Sequence, residues 1–276
     1  MMMLPQALSI GMPLVTKLKP IRANAGLRQR YQKQLLALID DMSASILYWL
    51  QAQYHESPPV AMDATPSQEM LKRFNELRRR WIKRFDKAGP KIAKAYLKSQ
   101  RQATDTAMRM ALRDIGFTVK FQMTAPVADA FNASLSENIG LIKSIPEQYL
   151  TQVQGAFSRA YSQGKGLDVM VGDLMRIGGV TRRRAANIAL DQSNKANAVI
   201  ERARRLEMGI EEAEWRHSGA GKHPRVEHQK ATGRVYKVRD GCPIKNEKGQ
   251  LEFINPGEKP FCRCISISVI PGLTVV

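Results

Sequence analysis

Apolar residues recur every three or four positions along most of this chain, and that spacing predicts helices. Leu35, Leu36, Leu38 and Ile39, then Ile46, Leu47 and Leu50, mark the inner face of a helix over 27–56. The run ESPPVAMDATPSQ reads as the loop that ends it. Thr65, with Pro66 just inside and Gln68 three residues on, forms an N-cap for the next helix, whose buried face is expected to hold Leu71, Phe74, Leu77, Trp81 and Phe85. The triplet AGP at 88–90 should stop that helix and Pro90 start another, carrying Ile92, Tyr96 and Leu97. Further helices are expected at about 126–140, 146–163, 167–177 and 181–208, the last capped by Thr181 and closed by Gly209.

After Gly209 the helical period disappears. Short strand-like pieces follow, AEWRH, GRVYKV, LEFIN and CISISVI, among Gly, Pro and His. The expected fold is therefore mainly α, a long helical N-terminal region followed by a small α+β C-terminal domain. Three segments result: an extended arm over 1–26, a helical region over 27–208 with basic helices at 66–112, and the α+β domain over 209–276. The arm is mostly apolar and interrupted by Pro5, Gly11, Pro13 and Pro20, so it cannot fold alone. It either docks on a neighbouring subunit or is an unstructured terminus. It lacks the basic start of a signal peptide, and no stretch reaches the ~20 apolar residues of a membrane span.

Charge changes the picture. Lys and Arg number 43 against 25 Asp and Glu, a net of +18, which favours a polyanionic partner, nucleic acid first. Residues 72–101 carry twelve basic residues against Glu76 and Asp86. With the apolar face assigned, Arg73, Arg80, Arg84, Lys87, Lys91, Lys94, Lys98 and Arg101 form a basic stripe lacking the interleaved Glu of an ordinary solvated helix. Such a stripe suits the phosphates of double-stranded DNA, read without sequence preference. Arg182, Arg183 and Arg184 form a second cluster at an expected helix start, where cations oppose the helix dipole. They point to a bound anion or acidic partner, or to Asp191 or another carboxylate of the fold. VGDLMRIGGVTRRRAANIAL also loosely resembles a helix-turn-helix.

The tail holds the candidate chemistry. GAGK in SGAGKHPR is not a phosphate-binding loop, because Arg216 stands where the first Gly is needed and His223 where Ser or Thr is needed. Three of the four histidines, His217, His223 and His228, and all three cysteines, Cys242, Cys262 and Cys264, fall in this region. Structural zinc on Cys242, Cys262, Cys264 and His228, a disulfide, and packed free thiols are the open readings. On a strand, Cys262 and Cys264 share a face with Ser266 and Ser268, opposite Ile265, Ile267 and Val269, which turns both cysteines away from the apolar surface. A metal-dependent nuclease would use His228 as base beside Glu227 or Asp240. No HExxH, paired carboxylates or nucleophile elbow accompanies them, so no catalytic residue and no enzyme activity is expected.

The order of these elements resembles the phage Mu F-type minor head proteins, also called phage head morphogenesis proteins. The resemblance rests on Trp215, Arg225, His228, Gly233, Pro256, Gly257, Cys262, Arg263 and Cys264, with the helical stretch from Leu141 upstream, and covers about 141–270. It implies a low-copy protein inside the virion head, made in the host cytoplasm, that associates with the portal protein or inner capsid shell and with packaged DNA. It implies a role in assembly, packaging or genome delivery and no enzymatic activity; no cofactor is expected beyond the structural zinc left open above. Arg263, beside the turn, is expected to be a buried tie to backbone carbonyls or a carboxylate.

Overall fold

A computed structural model of the chain describes residues 15–56, 64–163, 166–221, 224–246 and 248–271. The first fourteen residues of the expected arm, most of the loop after the first helix, and His223 lie outside the described residues. The mainly α fold with a small α+β tail is as expected. The compact units, however, do not follow the linear division. One, the helical unit, comprises Ala23–Ala103 and Ala128–Asn197; the other, the mixed unit, comprises Met1–Arg22, Thr104–Val127 and Ala198–Val276.

Four helices build the helical unit: α1 (Ala25–Glu56), α2 (Ala64–Arg113), α3 (Ala125–Ser162) and α4 (Leu167–Glu207), the last three contributing residues to both units. Asn24 starts α1 by accepting the Leu27 backbone N–H at 3.0 Å. We expect Asn24→Ala to cost about 1 kcal/mol, measured as a lowered urea midpoint of the helical unit. The core holds Leu35, Ile39, Ile46 and Leu50 of the expected stripe, with Met42 added, together with Phe74, Trp81 and Phe85. Tyr31 stacks on Tyr96 at 4.4 Å, and Phe74 meets Phe157 edge-on at 5.3 Å.

The expected helix breaks are absent. α2 runs through Pro90, α3 through Pro146, and α4 through Gly178 and Gly179. A proline inside a helix forfeits one backbone bond and costs about 3 kcal/mol. Burial offsets it here: Trp81 and Phe85 before Pro90 and Ala93, Tyr96 and Leu97 after it enter one core, each large side chain contributing roughly 1.5–3 kcal/mol. Thr181 is not a cap but an interior residue, its Oγ1 donating to the Ile177 carbonyl at 2.9 Å. The continuous α4 also removes the turn that a helix-turn-helix needs.

In the mixed unit, α4 ends as expected at Gly209, whose φ is 70°. Ile210 N–H bonds the Arg205 carbonyl at 2.9 Å and Gly209 N–H that of Leu206 at 3.2 Å, the two bonds of a Schellman cap. An antiparallel sheet follows with order β1-β6-β2-β3, formed by β1 (Val15–Lys17), β2 (Glu212–Arg216), β3 (Val235–Lys237) and β6 (Ile265–Pro271). A short helix, α5 (Val226–Lys230), and a hairpin of β4 (Cys242–Lys245) and β5 (Leu251–Ile254) complete the tail. The described part of the arm is held by its own chain: Val15 to Lys17 pair with β6, and Leu18 and Ile21 are buried beside Met108 and Leu112. Lys17 also pairs with the buried Glu214 of β2.

Both faces of β6 are buried, which corrects the expectation that its serine face lies away from the core. Ile267 and Val269 are 3% exposed, and Ser268 only 2%. The serines receive a buried arginine: Arg205 donates to Ser268 Oγ at 2.7 Å, Ser266 Oγ at 2.6 Å and the Ser266 carbonyl at 2.7 Å, and it pairs with Glu201 one turn earlier. Its neighbour Arg204 forks onto Asp105 at 2.8 and 3.0 Å. Burial pushes the Glu201 carboxyl up to about 7, against the pull of Arg205. An acid that holds its proton more tightly folded than unfolded favours the fold while protonated. That contribution is complete below the ordinary value of 4.5 and fades as pH rises toward 7. The denaturation midpoint of the mixed unit is therefore expected to fall between pH 5 and 7.5, and Glu201→Gln to flatten that slope.

Candidate functional site

Trp215 anchors the candidate site. It is fully buried on β2, and its Nε1 donates to the His228 carbonyl at 3.0 Å while its indole meets the imidazole edge-on at 5.1 Å. Gly233, at φ 88°, allows the turn before β3 and returns its N–H to the Trp215 carbonyl at 2.8 Å. Arg225 opens α5, and its guanidinium donates to the Pro260 carbonyl at 3.2 Å. Pro256 and Gly257 form the buried turn of the segment leading to the cysteines.

These contacts hold His228 on α5 against the residues that enter β6. His228 Nδ1 lies 3.5 Å from Cys262 Sγ and 3.7 Å from Cys264 Sγ. All three side chains are buried, and their donor atoms lie within 4.8 Å of one another. A hydrogen bond from the Cys264 thiol, helped by His228, pulls the Cys262 thiol down to about 4 against the effect of burial. Cys264 is held up by that same bond and by burial. A buried His/Cys/Cys set has the donor types that zinc takes.

Cys242 does not join them. It is buried in the same apolar cluster, outside the trio, and burial raises its thiol. His217 uses Nδ1 to accept the Gly219 N–H at 3.1 Å. Arg263 is only half-buried, and the tie expected of it is made by Arg205, which sequence reasoning missed. The signal available was the i,i+4 pair Glu201 and Arg205 on a helix, with serines at alternate positions of a strand.

On α2 the basic stripe is realised as exposed side chains at Arg73, Arg80, Arg84, Lys87, Lys91, Lys94 and Lys98, with Arg101 half-buried. Arg84 is engaged by Asp41 at 2.6 Å and lies 4.8 Å over the Trp81 ring. The second cluster is different. Arg182, Arg183 and Arg184 lie inside α4, so the dipole argument falls away. Arg182 pairs with Asp40, and half-buried Arg184 donates to Ser144 Oγ at 2.8 Å. Carboxylate and hydroxyl partners within the fold therefore answer two of these three arginines.

Residues 151–267 match the family model described as phage Mu protein F like protein. The match runs from late α3 through α4 into β6 and includes Trp215, His228, Cys262 and Cys264. The chain is also 25% identical, over 281 aligned residues, to a protein of Haemophilus influenzae described as uncharacterized. That alignment covers 98% of this chain and 59% of the relative, so the chain spans less than two thirds of the relative's length. No solved structure matches.

Proposed function

We propose that this protein is a minor head protein, built into the interior of a phage head during assembly in the host cytoplasm and retained in the virion. It contacts the portal protein or the inner capsid shell, and it contacts packaged double-stranded DNA through the α2 stripe, aiding packaging or delivery of the genome. The Mu F-like match over residues 151–267 carries this reading. The net charge of +18 and its concentration on an exposed face of α2 support the DNA contact. Leu251 and Phe253, two apart on β5 and both largely exposed, offer an apolar face for a protein neighbour.

Mass spectrometry of purified full heads and of empty precursors tests the proposal. A few copies per particle, counted against portal and major shell protein, are expected in full heads. Presence in precursors alone would make the protein a transient assembly factor, and absence from both would overturn the proposal. The alternative, a nuclease with His228 as base, gains nothing from the geometry: His228 faces two sulfurs, and Glu227 is engaged by Lys230 at 2.9 Å.

A further inference from the structure

We propose that His228 Nδ1, Cys262 Sγ and Cys264 Sγ bind one zinc ion, and that the ion clamps α5 to the segment entering β6. The inference does not depend on the assembly role. In a tetrahedral site with Zn–S near 2.3 Å and Zn–N near 2.0–2.1 Å, the sulfur-to-nitrogen edge is about 3.5–3.6 Å. The two edges present are 3.5 and 3.7 Å, so each sulfur already stands at ligation spacing from the imidazole nitrogen, with all three donors within 4.8 Å of one another. Both cysteines belong to the apolar cluster of Tyr236, Val238 and Ile244, and both sulfurs also lie within reach of one imidazole nitrogen, a convergence that packing alone does not require.

The donor types select the metal. Two sulfurs and an imidazole suit zinc, and disfavour magnesium and calcium, which take oxygen. The backbone presents them without Cys242: Phe261, at φ 58°, turns the chain immediately before Cys262, and the carbonyl of His228 is fixed by Trp215. Three donors leave one tetrahedral position for water. The ligands are separated by 34 and 36 residues in sequence, so the ion would close a long loop that no disulfide closes.

Zinc content of the full chain, purified under reducing conditions, tests this by elemental mass spectrometry beside thermal melting. We expect about one zinc per chain, falling to background in Cys262→Ser, Cys264→Ser and His228→Asn and unchanged in Cys242→Ser. Chelation is expected to lower the melting temperature of the mixed unit by on the order of 10 °C, with recovery on adding zinc chloride but not magnesium chloride. Should the variants fold poorly, cobalt(II) exchanged into the unaltered chain still decides, since two-thiolate tetrahedral coordination gives intense visible and sulfur charge-transfer bands. An unaltered chain that holds no zinc, shows no such bands and melts unchanged with added zinc overturns the proposal. So does a Cys262–Cys264 disulfide in protein kept from reductant during isolation, or loss of zinc in a folded Cys242→Ser.

Discussion

Arg205→Met is expected to destabilise the mixed unit by about 3–5 kcal/mol, the largest loss foreseen for any single substitution here. Methionine is shorter than arginine but fills the space of its apolar stem, so lost packing is the smaller part of the loss. What remains is a buried carboxyl at Glu201 without its cation, and the Ser266 and Ser268 hydroxyls and the Ser266 carbonyl without their donor. Since domains are stable by only about 5–15 kcal/mol, a unit so altered would be partly unfolded near 37 °C. Two controls separate the mechanism from lost packing. Arg205→Met with Glu201→Leu should recover much of the loss, because removing both partners leaves no orphaned charge. The single variant should also lose less at pH 5 than at pH 8, because protonating Glu201 becomes cheap in acid. Trp215 reports on this unit, and urea titrations followed by its fluorescence in a Trp49→Phe, Trp81→Phe background would read it. A loss that the double variant does not recover, and that does not vary with pH, would assign the effect to packing instead.

The sequence made most of the helical unit legible and left the ties of the mixed unit obscure, for identifiable reasons. Leu35, Ile46 and Leu50, and Phe74, Trp81 and Phe85, repeat at a period that only a helix satisfies, and each is buried as expected. Pro90 and Pro146 misled because a local rule worth about 3 kcal/mol was weighed without the burial on both sides of it. β1 was unreadable as a strand: three residues carry no period, and their partner in β6 is some 250 positions away. Alternating Ile and Ser in β6 reads as one wet face, and only the presence of Arg205 shows that the serines are inside. At the site, residue type marked His228, Cys262 and Cys264. The inclusion of Cys242 followed from nearness in sequence, which does not fix nearness in space.

Neutralising the α2 stripe is expected to weaken binding to duplex DNA by roughly 10³-fold near 0.1 M salt without unfolding the protein. Arg80, Lys87, Lys91, Lys94 and Lys98 are exposed at spacings of seven, four, three and four, and a helix carries the first and last roughly 27 Å apart along its axis. Five phosphate contacts give a slope of about −4.5 in log affinity against log salt, and replacing all five with Gln should remove most of it. The loss should be equal for unrelated sequences of one length, since nothing in the stripe reads base edges. Like charges three and four apart repel, so the replacements are neutral to mildly stabilising for α2, and a lost affinity cannot be ascribed to a lost fold. Arg182→Gln supplies the contrast: that side chain is already paired with Asp40, and its removal should leave the salt slope nearly unchanged. Filter binding or fluorescence anisotropy across 50–200 mM salt measures all of this. An unaltered chain that bound DNA with no salt slope, or a five-fold variant that bound as well as the original, would move the stripe from DNA to an acidic protein surface.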